Sequence, residues 1–130
     1  MSPSTFDVGE PGEVTFRSIS YDDVGTDLRR IEISGRLDMP GTDSVAAKLT
    51  ELAAAPKRAV VIDLSSLKFL ASIGISALIA CAKEVQRRGG KMALVVNSGS
   101  TVRMSLEATG VDELIPVFED ASEAEKAVLA

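Results

Sequence analysis

The chain has 130 residues, 45% of them hydrophobic and 25% charged, with a net charge of −5 and no histidine or tryptophan. That profile predicts one globular domain with a core of its own. It excludes a Ser-His-Asp triad, histidine-ligated metal sites and the basic footprint that direct nucleic-acid binding needs.

Residues 1–12 are rich in Ser, Pro, Gly and acids and are expected to form a flexible tail. They carry neither the basic nor the apolar region of a signal peptide. Residues 14–21 read as a first strand, with Val14 and Phe16 on one face and Ile19 and Tyr21 on the other. A bulge near Arg17 or Ser18, or cover on both faces, reconciles the two halves. Residues 22–27 read as a turn around Gly25. Residues 30–35 read as a second strand that pairs with the first as a hairpin through Ile31 and Ile33. Thr42 or Asp43 is placed to cap a helix that turns Val45, Leu49 and Leu52 inward and closes at Pro56 and Lys57. Residues 59–64 are apolar except for Asp63, as in a strand central in a sheet or covered on both faces.

The next helix begins at Ser72 and carries Ile75, Leu78, Ala82 and Val85 on one face. It stops at Gly89-Gly90, with Lys83, Arg87 and Arg88 near its negative end. The apolar run over residues 69–82 is shorter than the roughly 18 residues a membrane span requires, so a buried helix and no membrane insertion are expected. Residues 92–96 form another buried-type strand. Ser98 or Ser100 starts a helix with Val102, Leu106 and Thr109 inward, ended by Gly110. Residues 114–118 read as a final strand, held to an edge by Pro116. Residues 122–130 close the chain as a helix, with Ser122 as cap and Glu125 completing a capping box. The order ββαβαβαβα predicts an α/β fold, with crossovers onto one mixed β-sheet of about five strands.

Ser72 stands where a loop meets a helix, with Gly74 two positions on. Two roles suit it. Its oxygen can cap the helix, for about 1 kcal/mol. Alternatively its hydroxyl is exposed where unpaired N–H groups and the helix dipole favour an anion, and a phosphoserine would add about −1.5 to −2 charges there. Asp38 either bonds its own turn or faces a partner. Asp63 reads as a loop-fixing carboxylate. Ile73 is out of phase with the core stripe, and an exposed isoleucine beside Ser72 suits a partner contact. Cys81, the single cysteine, cannot form an internal disulfide; it reads as a packed, inert thiol in a reducing cytoplasm. The acidic pairs Asp22-Asp23, Asp112-Glu113 and Glu119-Asp120 read as solvated turns. No phosphate loop, metal cluster or catalytic dyad is visible in the sequence, so neither enzymatic activity nor a cofactor is expected.

The segments VVIDLSSLKFLASIGISALIACAKEVQRRGGKMALVVN and VRMSLEATGVDELIPVFED, together with Gly35-Arg-Leu-Asp38, resemble the STAS domain of bacterial anti-sigma factor antagonists. The resemblance implies a single STAS domain over residues 13–130, with helices mainly on one side of the sheet. It places Ser72 on the phosphoacceptor, the first serine of an Asp-Ser-Ser/Thr-Gly motif. Here Ala71 stands in place of the acid and Ile73 in place of the second hydroxyl, while Gly74 is kept. The implied function is a protein-binding switch built on Asp38, Ala71, Ser72, Ile73, Gly74 and Ser76. The unphosphorylated form binds an anti-sigma factor serine kinase and releases a sigma factor, phosphate on Ser72 ends the binding, and a serine phosphatase resets it. The chain itself is expected to be a monomer. Two other roles use the same fold: an accessory subunit of an ABC transporter, with Ser72 structural, and a small-molecule or nucleotide-binding regulator.

Overall fold

Alternation at Ile19, Tyr21, Ile31 and Ile33 puts four apolar side chains on one face of an antiparallel pair. In the computed structural model, which describes residues 4–7, 18–37, 39–53 and 58–130, that pair is β2 (Ser18–Val24) and β3 (Leu28–Leu37). Ile19 stands opposite Ile33 and Tyr21 opposite Ile31. Gly25 takes φ +66° in the connecting turn, a conformation that favours glycine. Residues 14–17 lie outside the described residues. Within the segment expected as a tail, Ser4–Asp7 forms a strand, β1, antiparallel to β2, with Phe6 opposite Ile19.

Asp22 and Asp23 are not in the turn but in β2. Their register partners are Arg30 and Arg29, so cross-strand charge pairing takes the place of solvation. Arg29 donates from Nε to Asp23 Oδ1 (2.7 Å), from Nη2 to Asp23 Oδ2 (3.0 Å) and from Nη1 to the Leu52 carbonyl (2.9 Å). Its guanidinium also lies 4.3 Å from the Tyr21 ring centroid. Leu52 belongs to α1 (Met39–Ala53), so this one side chain ties the hairpin to the end of that helix. Val45, Leu49 and Leu52 are buried, as their spacing predicts. The helix begins before Thr42 and Asp43, which therefore lie inside it and are not its cap. Asp38, Pro56 and Lys57 lie outside the described residues.

β4 (Ala59–Asp63), β6 (Lys91–Val95) and β7 (Val117–Phe118) extend the sheet in parallel, giving the order β1-β2-β3-β4-β6-β7. β4 is central and covered on both faces. Val60 and Ile62 join the larger core cluster with residues of α1 and α2 (Ser72–Arg87), while Ala59 and Val61 join a smaller one with Ala124 and Val128 of α5 (Ala121–Leu129). α5 thus lies on the face opposite α1 and α2. A seventh strand, β5 (Leu67–Leu70), was not expected. It pairs in parallel with the second half of β3, past a bulge between Gly35 and Arg36. Its buried residues are Leu67 and Leu70, with Lys68 and Phe69 outside, so it lacks the period of two that marks a strand.

α3 (Thr101–Thr109) is capped by Ser100, whose Oγ accepts from Arg103 N at 3.1 Å, and it ends at Gly110 in the left-handed region. Val102 and Leu106 point inward, but Thr109 is exposed and bonds back to the Ser105 carbonyl at 2.8 Å. The expected strand over 114–118 divides. Val111–Leu114 is a short helix, α4, that buries Val111 and exposes Leu114; only Val117–Phe118 pairs, at the sheet edge that Pro116 predicts. Asp120, not Ser122, caps α5, accepting from Ser122 N at 2.9 Å.

Ile62, Leu78, Leu94 and Leu106 are fully buried. Each contributes about 1.5–3 kcal/mol by leaving water. Between α2 and β6, Gly90 is required by space: a Cβ there would lie 2.6 Å from the Arg58 carbonyl oxygen.

Burial pushes the Cys81 thiol up to about 11 from an ordinary 9.0, with Arg88 opposing the shift. The folded state therefore favours the protonated thiol. The stability this contributes is fully present below the unfolded value and is lost as pH rises through 9 towards 11. Native protein at pH 8 should resist iodoacetamide and react fully in urea. The denaturation midpoint should fall above pH 9, less steeply in Cys81→Ala. Rapid native labelling would contradict the burial.

Candidate functional site

The path to Ser72 is braced before it arrives. Asp63, at the end of β4, accepts from Ser65 N at 2.9 Å, the loop-fixing role expected of it. Asn97, just past β6, donates from Nδ2 to the Ser65 carbonyl at 2.8 Å. The loop between β4 and β5 is thus pinned from two strands. Leu67 and Leu70 then bury β5 against the core, and Ala71 becomes the N-cap of α2 with extended backbone angles.

Ser72 is the first residue of the helix and not its cap, and no side chain caps α2. The Ala71 carbonyl accepts from both Gly74 N (2.9 Å) and Ile75 N (3.1 Å). Ser72 is exposed, and the first turn of α2 carries no acid. The expected capping role is not the one the side chain takes: Ser72 makes no cap hydrogen bond, and the residue is exposed. The geometry presents a nucleophilic oxygen at the positive end of a 16-residue helix, where an added anion is stabilised without repacking.

Around it, Ile73 is 36% exposed and Phe69 is 38% exposed. Gly74 is buried and Ala71 half-buried. Ser76 is exposed, with its hydroxyl donating to the Ser72 carbonyl at 3.1 Å. Asp38, the remaining residue of the expected surface, lies outside the described residues. The sequence reading missed Phe69 and Arg36. The Arg36 guanidinium lies over the Phe69 ring, 4.5 Å from its centroid, because the bulge in β3 sets Arg36 opposite Phe69. A period-of-two search passes over β5 and so hides this neighbour.

The two serines at helix starts differ in what they do, and stability measurements should separate them. Ser100→Ala removes a cap and should cost about 1 kcal/mol in urea unfolding. Ser72→Ala removes no cap and should stay within about 0.5 kcal/mol of wild type. Equal losses would mean that Ser72 caps α2 after all.

A cleft of about 210 Å³ opens elsewhere, on the α5 side of the sheet, among Asp22, Arg30, Glu32, Asp63 and Ala121. Arg30 spans it, reaching Asp22 at 3.1 Å and Glu125 at 3.3 Å. It is separate from Ser72. Among the described residues no helix is long and apolar enough to cross a membrane.

The sequence profile of the STAS domain matches residues 23–124, most of the chain. The chain belongs to the STAS domain family. This STAS domain is 28% identical over 95 residues to the anti-sigma-F factor antagonist RsfB of Mycobacterium tuberculosis, covering 72% of the chain and 75% of RsfB. Its fold matches the crystal structure of an anti-sigma factor antagonist from Mycobacterium paratuberculosis with a TM-score of 0.77 and 24% identity, covering 99% and 96% of the two chains. It also matches SpoIIAA of Bacillus in its phosphorylated form, with a TM-score of 0.63 and 19% identity over 85% of this chain and 98% of that one. These likenesses establish the mixed sheet flanked by helices as the STAS fold.

Proposed function

We propose that this STAS domain is an anti-sigma factor antagonist switched at Ser72. The unphosphorylated surface of Arg36, Phe69, Ile73 and Ser72 docks on an anti-sigma factor kinase, and the bound sigma factor is released. The kinase brings ATP; this chain supplies only the acceptor hydroxyl. Phosphate on Ser72 places a charge in the contact, and desolvating it on docking costs several kcal/mol. A serine phosphatase restores the docking form. The fold stays as it is in both states, since the helix N-terminus already favours an anion.

The observation that carries the reading is the exposed, non-capping Ser72 hydroxyl at the start of α2, beside an exposed isoleucine. The relatives named antagonists of anti-sigma factors support the partner class. A relative of the same fold with a phosphorylated form supports the modification. Of the family's motif this chain keeps the serine, Ser72, and the glycine, Gly74, and departs from it at Ala71 and Ile73.

The test is incubation with an anti-sigma factor kinase and ATP, followed by peptide mass mapping. One phosphoryl group on Ser72, absent in Ser72→Ala, is the expected result. A phosphoryl group on another residue, or undiminished labelling of Ser72→Ala, would overturn the assignment.

A further inference from the structure

α5 covers its face of the sheet with little to hold it there. It is nine residues long and buries two side chains, Ala124 and Val128. α2, on the opposite face, buries six residues, among them Ile75, Leu78 and Val85. Beneath α5 lie Leu28, Ala59, Val61, Ala93 and Val95, mostly small. The side chains that tie α5 to the sheet are exposed or half-exposed cations. Arg30 Nη1 donates to Glu125 Oε2 at 3.3 Å, Arg58 Nη2 to the Leu129 carbonyl at 3.0 Å and Lys91 Nζ to the Ala130 carbonyl at 2.9 Å. Water can replace each of these bonds at small cost. Arg30 keeps Asp22 at 3.1 Å when Glu125 leaves, so no charge is stranded. An isolated helix of nine residues does not persist in water, so α5 unfolds when it undocks.

We infer that α5 is a strap that lifts from the sheet as one unit while the rest of the domain stays folded. Elements with few buried apolar groups and solvent-exposed polar ties are the first to open. α1, α2 and α3 share a separate core to which α5 contributes no residue, so their packing survives the opening. The chain can hinge at Glu119 and Asp120, between β7 and α5. Lifting the strap removes Ala121 from the wall of the cleft beside Arg30. Val61 belongs both to that cleft and to the apolar strip under α5. A half-open polar cleft thus becomes one trough across β3, β4 and β6, polar at one end and apolar at the other. It faces away from α2 and Ser72.

Native-state hydrogen exchange on the full chain reads the opening. The amides of residues 124–128 should share one protection, at least about 30-fold below that of residues 78–85 in α2. Low urea should erode the protection of α2 steeply and that of α5 hardly at all, because the urea slope follows the surface exposed. Val128→Ala should lower the protection of α5 about tenfold. Ser100→Ala, which weakens α3 in the other core, should lower the protection of α2 about fivefold and leave that of α5 unchanged. Equal protection and equal urea slopes in the two helices would overturn the proposal, since α5 would then open only with the whole domain. A loss in α5 on Ser100→Ala as large as that in α2 would do the same. Indifference of α5 to Val128→Ala would also overturn it, because exchange would then come from fraying and not from undocking.

Discussion

Ser72→Asp is expected to weaken binding to the anti-sigma factor kinase about 30-fold or more while leaving the fold as stable as wild type or slightly more so. The two effects have opposite signs because they have different causes. A carboxylate at the first position of α2 meets unpaired N–H groups and the positive end of the helix dipole, a gain of about 0.3–1 kcal/mol. The same carboxylate in a docked interface must shed its water without a designed partner, a cost of about 2 kcal/mol or more, and each 1.4 kcal/mol is tenfold in affinity. Ser72→Asn, close in shape to aspartate but neutral, should bind nearly as wild type does. Calorimetric titration of the kinase, paired with urea unfolding, reads both quantities. Equal binding by the Asp and Asn variants would show that charge is not what the partner senses.

The second large effect concerns stability. Asp23→Ala should destabilise the fold by about 3 kcal/mol or more, well beyond what an exposed ion pair gives. The Arg29 and Asp23 side chains are only 11% and 18% exposed, so removing the carboxylate leaves a mostly buried guanidinium with the Leu52 carbonyl and the Tyr21 ring. Hydrogen bonding to Asp23 holds the Arg29 guanidinium above its usual range, against the burial that opposes its charge. The double variant Asp23→Ala, Arg29→Met should recover part of the loss, because it takes away the stranded charge as well. Urea unfolding of the two single variants and the double completes the cycle. A loss under 0.5 kcal/mol for Asp23→Ala would mean that water, not the carboxylate, satisfies Arg29. The consequence reaches the site, since Arg29 anchors the end of α1, and α1 packs with α2 in one core.

What could be read from the sequence followed the strength of its periodicities. Ile19, Ile31 and Ile33 on strands, and Leu49, Leu78 and Leu106 on helices, repeat at the right spacing and are buried as expected. β5 escaped because burial there falls on Leu67 and Leu70, three apart, a pattern that only the bulge in β3 explains. α4 escaped because Val111, Leu114 and Ile115 are as apolar as a short strand, and the helical turn depends on Gly110 taking φ +76°. Caps were mislaid by one or two residues. Ser100 caps α3 as expected, but Asp120 takes the place of Ser122, and Ser72 lies one residue inside α2 with Ala71 at the cap. That shift is small in sequence and decisive in chemistry, since a capping oxygen is occupied and one inside the first turn is not. Arg36 could not be found from the sequence, because its contact with Phe69 exists only once β5 is paired to β3.

The central claim is tested most directly by sigma factor release. A complex of an anti-sigma factor kinase with its sigma factor is challenged with this chain, first unphosphorylated and then with phosphoserine at position 72, and free sigma factor is measured. The unphosphorylated chain should displace the sigma factor in proportion to its concentration, and the phosphorylated chain should displace it at least about 30-fold less well. Equal displacement by the two forms would contradict a switch at Ser72, and displacement by neither would contradict the antagonist function itself.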